Sequence, residues 1–261
     1  MTRKFLIVED QHMDSYIPIK VTYFPQRPSL LVPPRRDAQE LLDLGVGSVQ
    51  DVKANFADLW RINRYLGGIR AVTQHLYPRL QQPTEPQTVA DIGTGSADMP
   101  AAIARWARHR QIDLRLWGLD LSARHLALAH HPRSSKHPAG LIQADALHIP
   151  FKAESVDYFI SCLFLHHLSP EQAITFLSST FSLAKRGIII SDIVRGRLPL
   201  IAFKLGQPIF ARSFLTRHDG VVSIRRAYTP DELQQFAQAA GLSNARVYQH
   251  WPWRMTLVVD K

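Results

Sequence analysis

Cysteine is almost missing from this 261-residue chain. Cys162 stands alone, which excludes a disulfide framework and a thiol-rich zinc site and fits a reducing, cytoplasmic setting. No apolar run reaches the roughly 18 residues of a membrane span. The longest, LPLIAFKLGQPIF at Leu198–Phe210, is broken by Lys204, Gly206 and Pro208. The opening MTRKFLIVED carries only Phe5–Val8 as an apolar run, too short for a signal peptide. Internal repeats, low-complexity tracts and RNA-binding motifs are lacking as well. Acids are the minority charge, 22 against 31 Lys and Arg, for a net charge of +9. The basic residues are scattered through PPRRD, RWARHR, VRGR and IRRA, so they read as solvated surface, with nucleic acid not expected as a partner.

What is present is an ordinary globular composition, 46% hydrophobic, of a size for one large domain with an appendage. Residues 1–48 form an N-terminal extension: KFLIVED and IPIKVTYF suggest two short strands, and PQRPSLLVPPRRD an extended connector. They are read as a cap over a pocket, an element exchanged in a homodimer, or a stabilising appendage. From Val49 to Leu80 the apolar spacing is helical, interrupted at Gly67-Gly68. From Thr88 onward short apolar strands alternate with helices. This pattern predicts an α/β, Rossmann-like, seven-stranded and mostly parallel sheet with helices on both faces, making 49–261 one domain.

The expected strands are 88–92, 114–119, 140–144, 156–163 and 187–192, with ARVYQH and RMTLVVD closing the sheet. Helices are expected at 98–110, 122–131 and 171–184. SPEQ at Ser169 and TPDE at Thr229 supply capping boxes with Pro at the first helical position, and Gly241 ends the last helix. The connection 194–228 is too long for a plain loop and predicts a lid or small helical insertion.

The stretch TVADIGTGSADMP ends its strand in a bend built on Gly93 and Gly95, where backbone can approach a ligand closely. A dinucleotide fingerprint would place a third glycine where Asp98 stands. A carboxylate there repels a pyrophosphate and attracts an ammonium group, and Asp91 adds a second acid. The bend therefore suits a zwitterionic, partly cationic ligand; Asp98 is equally a helix N-cap.

Together VADIGTGSAD, LWGLDLS and IQADALHIPF resemble the class I S-adenosylmethionine-dependent methyltransferases over about residues 50–261. Ala97 departs from the family's third glycine. The resemblance implies S-adenosyl-L-methionine as cofactor. It puts the methionine part on Asp91, Gly93 and Gly95, the ribose hydroxyls on Asp120, and adenine near Leu121, Asp145 and Ala146. Ser161 is expected to line the cofactor channel. Asp120 could instead cap a helix, and Asp145 could be a turn residue. NFADLWRINRYLGG is similar to the N-terminal helix of quinone-pathway methyltransferases. This makes Arg61 and Arg64 candidates for the methionine carboxylate, against a solvated helical face.

The acceptor is expected to be a small molecule. SCLFLHHLSP lacks the N/D-P-P-Y/F tetrapeptide of adenine and exocyclic-amine enzymes and the Pro-Cys setting of cytosine enzymes, so Cys162 reads as core. His166 and His167 are candidate bases or acceptor-orienting groups, with a structural role as the alternative. His218 with Asp219 is a candidate base and orienter, or a turn. No metal-ligand set is singled out. The stretch from GIIISDIVRGRLP to HWPWRMTLVV looks like methyltransferases associated with type III polyketide synthases. O-methylation of a small aromatic, quinone or polyketide acceptor is therefore expected first. C-methylation of a quinone-like ring, RNA methylation and nucleotide-dependent oxidoreduction follow in that order.

Overall fold

The computed structural model describes residues 30–80, 85–129 and 140–261. KFLIVED and IPIKVTYF lie outside the described residues. Two helices come first, α1 (Val49–Tyr65) and α2 (Gly68–Leu80). The alternating part follows: β1 (Gln87–Ile92), α3 (Asp98–Arg110), β2 (Leu114–Asp120), α4 (Ala123–Leu128), β3 (Gly140–Gln143), β4 (Val156–Cys162), α5 (Pro170–Leu183) and β5 (Ala184–Ile193). Then come α6 (Arg197–Phe210), α7 (Phe214–Arg226), α8 (Pro230–Ala239), β6 (Arg246–His250) and β7 (Arg254–Asp260).

The sheet order is β3-β2-β1-β4-β5-β7-β6. The first five strands pair in parallel, while β7 runs antiparallel to both β5 and β6. Strands covered on both faces are mostly apolar, and in β4 and β7 the runs Val156–Ser161 and Arg254–Val259 are buried throughout, with Asp157, Ser161, Arg254 and Thr256 as their polar members. One face is filled from α5 and α8, through Phe176, Leu177, Leu233 and Phe236. The other is filled from α2 and α3, through Val72, Leu76, Ile103 and Ala107. The predicted capping boxes form at Ser169 and Thr229, and a third forms at Ser48 in front of α1.

One expected helix is shorter than its sequence pattern, and the expected helical insertion is present. The helix expected over 122–131 spans only Ala123–Leu128; Ser122 caps it, and residues 130–139 lie outside the described part. The insertion 194–228 is two helices, α6 and α7, joined at Ser213, whose hydroxyl caps α7. Val52 and Phe56 of α1 pack against Leu215 of α7 and close the carboxyl edge of the sheet.

The connector before α1 is tied down rather than trailing. Arg35 donates to the carbonyls of Arg226, His166 and Leu168 at 2.6–3.1 Å, and its guanidinium sits 4.6 Å over the Tyr228 ring. The N–H groups of Leu41 and Leu42 donate to Asp219 at 2.8 and 3.1 Å. Arg195 and Glu232 form a fully buried two-pronged ion pair at 2.8 and 2.9 Å, and Arg195 Nε also donates to the Pro33 carbonyl. A charge pair this buried needs all its partners, and here both members have them.

Candidate active site

At the carboxyl edge lies a cavity of about 810 Å³, lined from the bend after β1 to the segment after β4. Its cofactor end is made by the bend itself. Gly93 and Gly95 have φ of +72° and +53°, a conformation favouring glycine. A Cβ on Gly93 would meet the Phe164 ring at 2.7 Å, whereas one on Gly95 would meet only Phe56 at 3.5 Å and point into the cavity region. Ala97 adopts the same left-handed conformation at φ +59°, which is why a glycine suits this position.

Three carboxylates surround the bend. Asp91 is buried and accepts from the Thr94 hydroxyl at 2.7 Å. Burial pushes its pKa up to about 7 against the help of Thr94, and the nearby Asp120 and Asp98 push it further up. Asp98 opens α3 and accepts from the Ser96 hydroxyl at 2.7 Å. Asp120, at the end of β2, accepts from Gly95 N–H at 2.8 Å and Ser122 N–H at 2.9 Å. Those bonds hold its side chain at the cavity wall and leave further acceptor capacity for a ligand.

Asp145 accepts from Leu147 N–H at 2.9 Å and faces His148, while Ala146 lines the wall beside it. Leu121 is 69% exposed at the cavity's rim. Asp91, Gly93, Gly95, Asp98, Asp120, Leu121, Asp145 and Ala146 thus all line one cavity.

Four other expected residues do not. Ser161 is fully buried and donates to the Ile92 carbonyl at 2.7 Å; its neighbour Cys162 lines the cavity instead. Burial pushes the Cys162 thiol up to about 12, so it is not a thiolate nucleophile. Arg64 is exposed, with its guanidinium 5.2 Å over the Trp60 ring, and Arg61 pairs with Asp58. Helical spacing explains both: Asn55, Phe56, Leu59, Ile62 and Asn63 share the face of α1 that turns to the cavity, and positions 61 and 64 fall outside it. His218 is half exposed and off the cavity wall. It contacts Asp219 at 2.8 Å, but Asp219 spends its oxygens on anchoring Leu41 and Leu42.

A buried cation on the cavity wall, close to Asn63, Cys162 and Asp192, was not singled out from the sequence. Arg254, the first residue of β7, is buried on the cavity wall. Its Nη2 donates to Asn63 at 3.3 Å, and its Nη1 has no partner among the described residues. Burial pushes its pKa down, as expected of a charge short of partners. The available signal was a cation opening an otherwise apolar strand beside the carboxyl edge.

The other end of the cavity holds a polar cluster that is buried at Glu40, His166 and Asp192 and open at Asp43. His166 Nδ1 lies 2.9 Å from Asp192 Oδ1, and Asp192 also accepts from His166 N–H. His167 Nδ1 lies 2.9 Å from Asp43. Glu40, from the connector, faces both rings and accepts from the Ser223 hydroxyl at 2.5 Å. Burial pushes Glu40 and Asp192 up, yet the facing imidazoles outweigh it and hold both below the usual range. Burial alone would lower His166, but Asp192 and Glu40 raise it to about 10. Glu40 and Asp43 had no distinguishing mark in the sequence, since each is an ordinary acid in RRDAQELLDLG.

The comparisons with known proteins agree with this geometry. Residues 89–187 match a family model described as a methyltransferase domain. No curated protein matches the chain. Among solved structures, an S-adenosylmethionine-dependent methyltransferase from Aquifex aeolicus superposes with a TM-score of 0.56 at 15% identity, covering 82% of this chain and 99% of the other. Magnesium protoporphyrin IX methyltransferase from Synechocystis, solved with S-adenosylhomocysteine, gives 0.52 at 16%, covering 87% and 90%. The plantazolicin methyltransferase BpumL gives 0.56 at 15%, covering 82% and 98%. At such identities these likenesses speak for the fold. With the match over residues 89–187, they show a methyltransferase domain on the fold shared by S-adenosylmethionine-dependent methyltransferases.

Proposed function

We propose that this enzyme methylates a hydroxyl of a small, partly apolar aromatic, quinone or polyketide-like acceptor. One observation carries the reading. A single cavity joins the cofactor bend to the Glu40–His166–His167 cluster, with apolar walls from Leu42, Leu168, Phe203 and Ile224 between and around them. The sulfonium methyl is already activated, so the protein's task is to place an oxygen in line with it and make that oxygen anionic. The oxygen forms its bond to the methyl carbon as the carbon–sulfur bond breaks. The bonding electrons stay on sulfur, giving S-adenosylhomocysteine, and the hydroxyl proton leaves at the polar cluster.

Roles at the cofactor end follow the lining. Asp120 accepts from the ribose hydroxyls, Asp145 and Ala146 meet the adenine edge, and Asp91 with Asp98 favours the cationic amino-acid end. Arg254 replaces Arg64 as partner of the methionine carboxylate, because its Nη1 is buried and unpaired among the described residues. His166 and His167 serve the acceptor, and His218 has no part in the chemistry. Phe203 of α6 and Ile224 of α7 cover the acceptor.

Incubation with methyl-labelled cofactor and a panel of phenols, quinones and enolic pyrones tests this reading. Label is expected on an oxygen of at least one phenol or enol. Label confined to ring carbon, or to RNA with no small-molecule product, would contradict it.

A further inference from the structure

We infer that Glu40, His166 and His167 form a site for one divalent transition-metal cation at the acceptor end of the cavity. The three potential ligand atoms all lie within 4.8 Å of one another. Glu40 Oε1 is 3.3 Å from His166 Nε2 and 3.9 Å from His167 Nε2. Metal bonds to nitrogen and oxygen of about 2.0–2.2 Å put neighbouring ligand atoms roughly 3.0–3.4 Å apart at octahedral or tetrahedral angles. The Glu40–His166 separation already fits, while the Glu40–His167 separation needs closing by about 0.5 Å or more.

The surroundings make the same point independently. A metal-bound histidine typically gives its other ring nitrogen to a carboxylate, which fixes the tautomer and raises ligand basicity. Both histidines here do so: His166 Nδ1 on Asp192 and His167 Nδ1 on Asp43, each at 2.9 Å. Nε2 of His166 is buried and has no aligned hydrogen-bond partner among the described residues, although Glu40 is near. A cation placed between them would satisfy the ring nitrogen and the facing Glu40 oxygen together.

Glu40, Asp43 and Asp192 bring three carboxylates, facing Arg226 at 4.0 Å from Asp43, Arg254 near Asp192 and Arg35 on the His166 carbonyl. Two imidazoles and one carboxylate suit zinc, cobalt, manganese or iron better than magnesium or calcium, which favour all-oxygen sets.

All three residues line the cavity, so the remaining coordination positions face the acceptor. This role rests on the hydroxyl-methylation reading. There the cation would bind the acceptor oxygen and lower its pKa, the proton passing to water. Cation binding itself does not depend on that reading.

Tag-free full-length protein, stripped by chelation, is titrated with Co2+ while its d–d absorption is followed, and with Zn2+ by calorimetry. One tight equivalent with histidine-coordinated cobalt bands is expected. Asp43→Asn should weaken it by about 10- to 100-fold and His167→Ala more. His250→Ala should leave it unchanged, which separates the site from the surface pair His75 and His250, 3.4 Å apart. S-adenosylhomocysteine affinity and melting temperature establish that each variant is folded and tell the two readings apart. Cobalt affinity equal in wild type and a folded His167→Ala variant would overturn the metal site and leave methyl transfer standing. Wild type that takes up cobalt but not S-adenosylhomocysteine would do the reverse.

Discussion

The two ends of the cavity are built in opposite ways. The cofactor end comes from short contiguous pieces, each a strand end and the turn after it: Asp91–Asp98, Asp120–Leu121 and Asp145–Ala146. The acceptor end is assembled from segments far apart in the chain. Glu40 and Asp43 come from the connector, His166 and His167 from the turn after β4, Asp192 from β5, and Ser223 from α7. A contiguous site depends on local backbone geometry. An assembled site depends on whatever clamps its pieces together, so the two should fail differently.

The largest effect is expected at a clamp. Glu232→Ala leaves Arg195 charged, buried and unpaired, and should cost about 3–5 kcal/mol of stability in chemical denaturation. Because Arg195 also holds Pro33, the connector loosens with it. A loss below about 1 kcal/mol would mean that the pair does not hold the acceptor end.

Next comes the paired comparison of two arginines. Arg254→Met should weaken S-adenosylmethionine by roughly 10- to 100-fold, the worth of a charge-assisted contact. Arg64→Ala should change it less than twofold, since Arg64 sits on the far face of α1. Equal effects would return the carboxylate to α1. The difference also shows what was legible. The sequence led to α1 through its motif, and α1 does face the cavity, but with asparagines. The helix was readable, whereas the rotation that selects Asn55 and Asn63 over Arg61 and Arg64 is set by packing of Val52 and Phe56 against Leu215.

The same division holds elsewhere. The succession of strands along the chain, the glycine bend and the capping boxes at Ser169 and Thr229 are local patterns, and they were readable. Ser161 against Cys162 was a question of which way a strand end faces at the sheet edge, settled by Ser161 bonding to Ile92. Glu40 was unreadable because nothing in RRDAQELLDLG says which distant histidines it will meet.

A smaller effect concerns pH. Asp91, raised to about 7 in the folded chain from 3.8, keeps its proton where the unfolded chain has lost it. Its contribution to stability therefore declines as pH rises from about 4 to about 7. A cationic ligand favours the ionised form, so cofactor affinity should rise several-fold between pH 6 and pH 7.5, and Asp91→Asn should flatten that rise. Calorimetry at the two pH values checks both.

The smallest effect is at the bend's end. Ala97→Gly relieves a left-handed alanine and should stabilise the fold by about 0.5–1 kcal/mol in thermal melts, after the added unfolded-state entropy is counted. No gain would show that this bend carries no strain at Ala97.

The central claim, that the bend prefers a cationic amino-acid cofactor to a diphosphate, meets its most direct test in competition calorimetry. Wild type and Asp120→Ala are titrated with S-adenosylhomocysteine and with NAD(P). The expected result is binding of the former by wild type, weakened by about 1–3 kcal/mol in Asp120→Ala, and no binding of the dinucleotides. Tight dinucleotide binding by wild type, with none of S-adenosylhomocysteine, would contradict the claim.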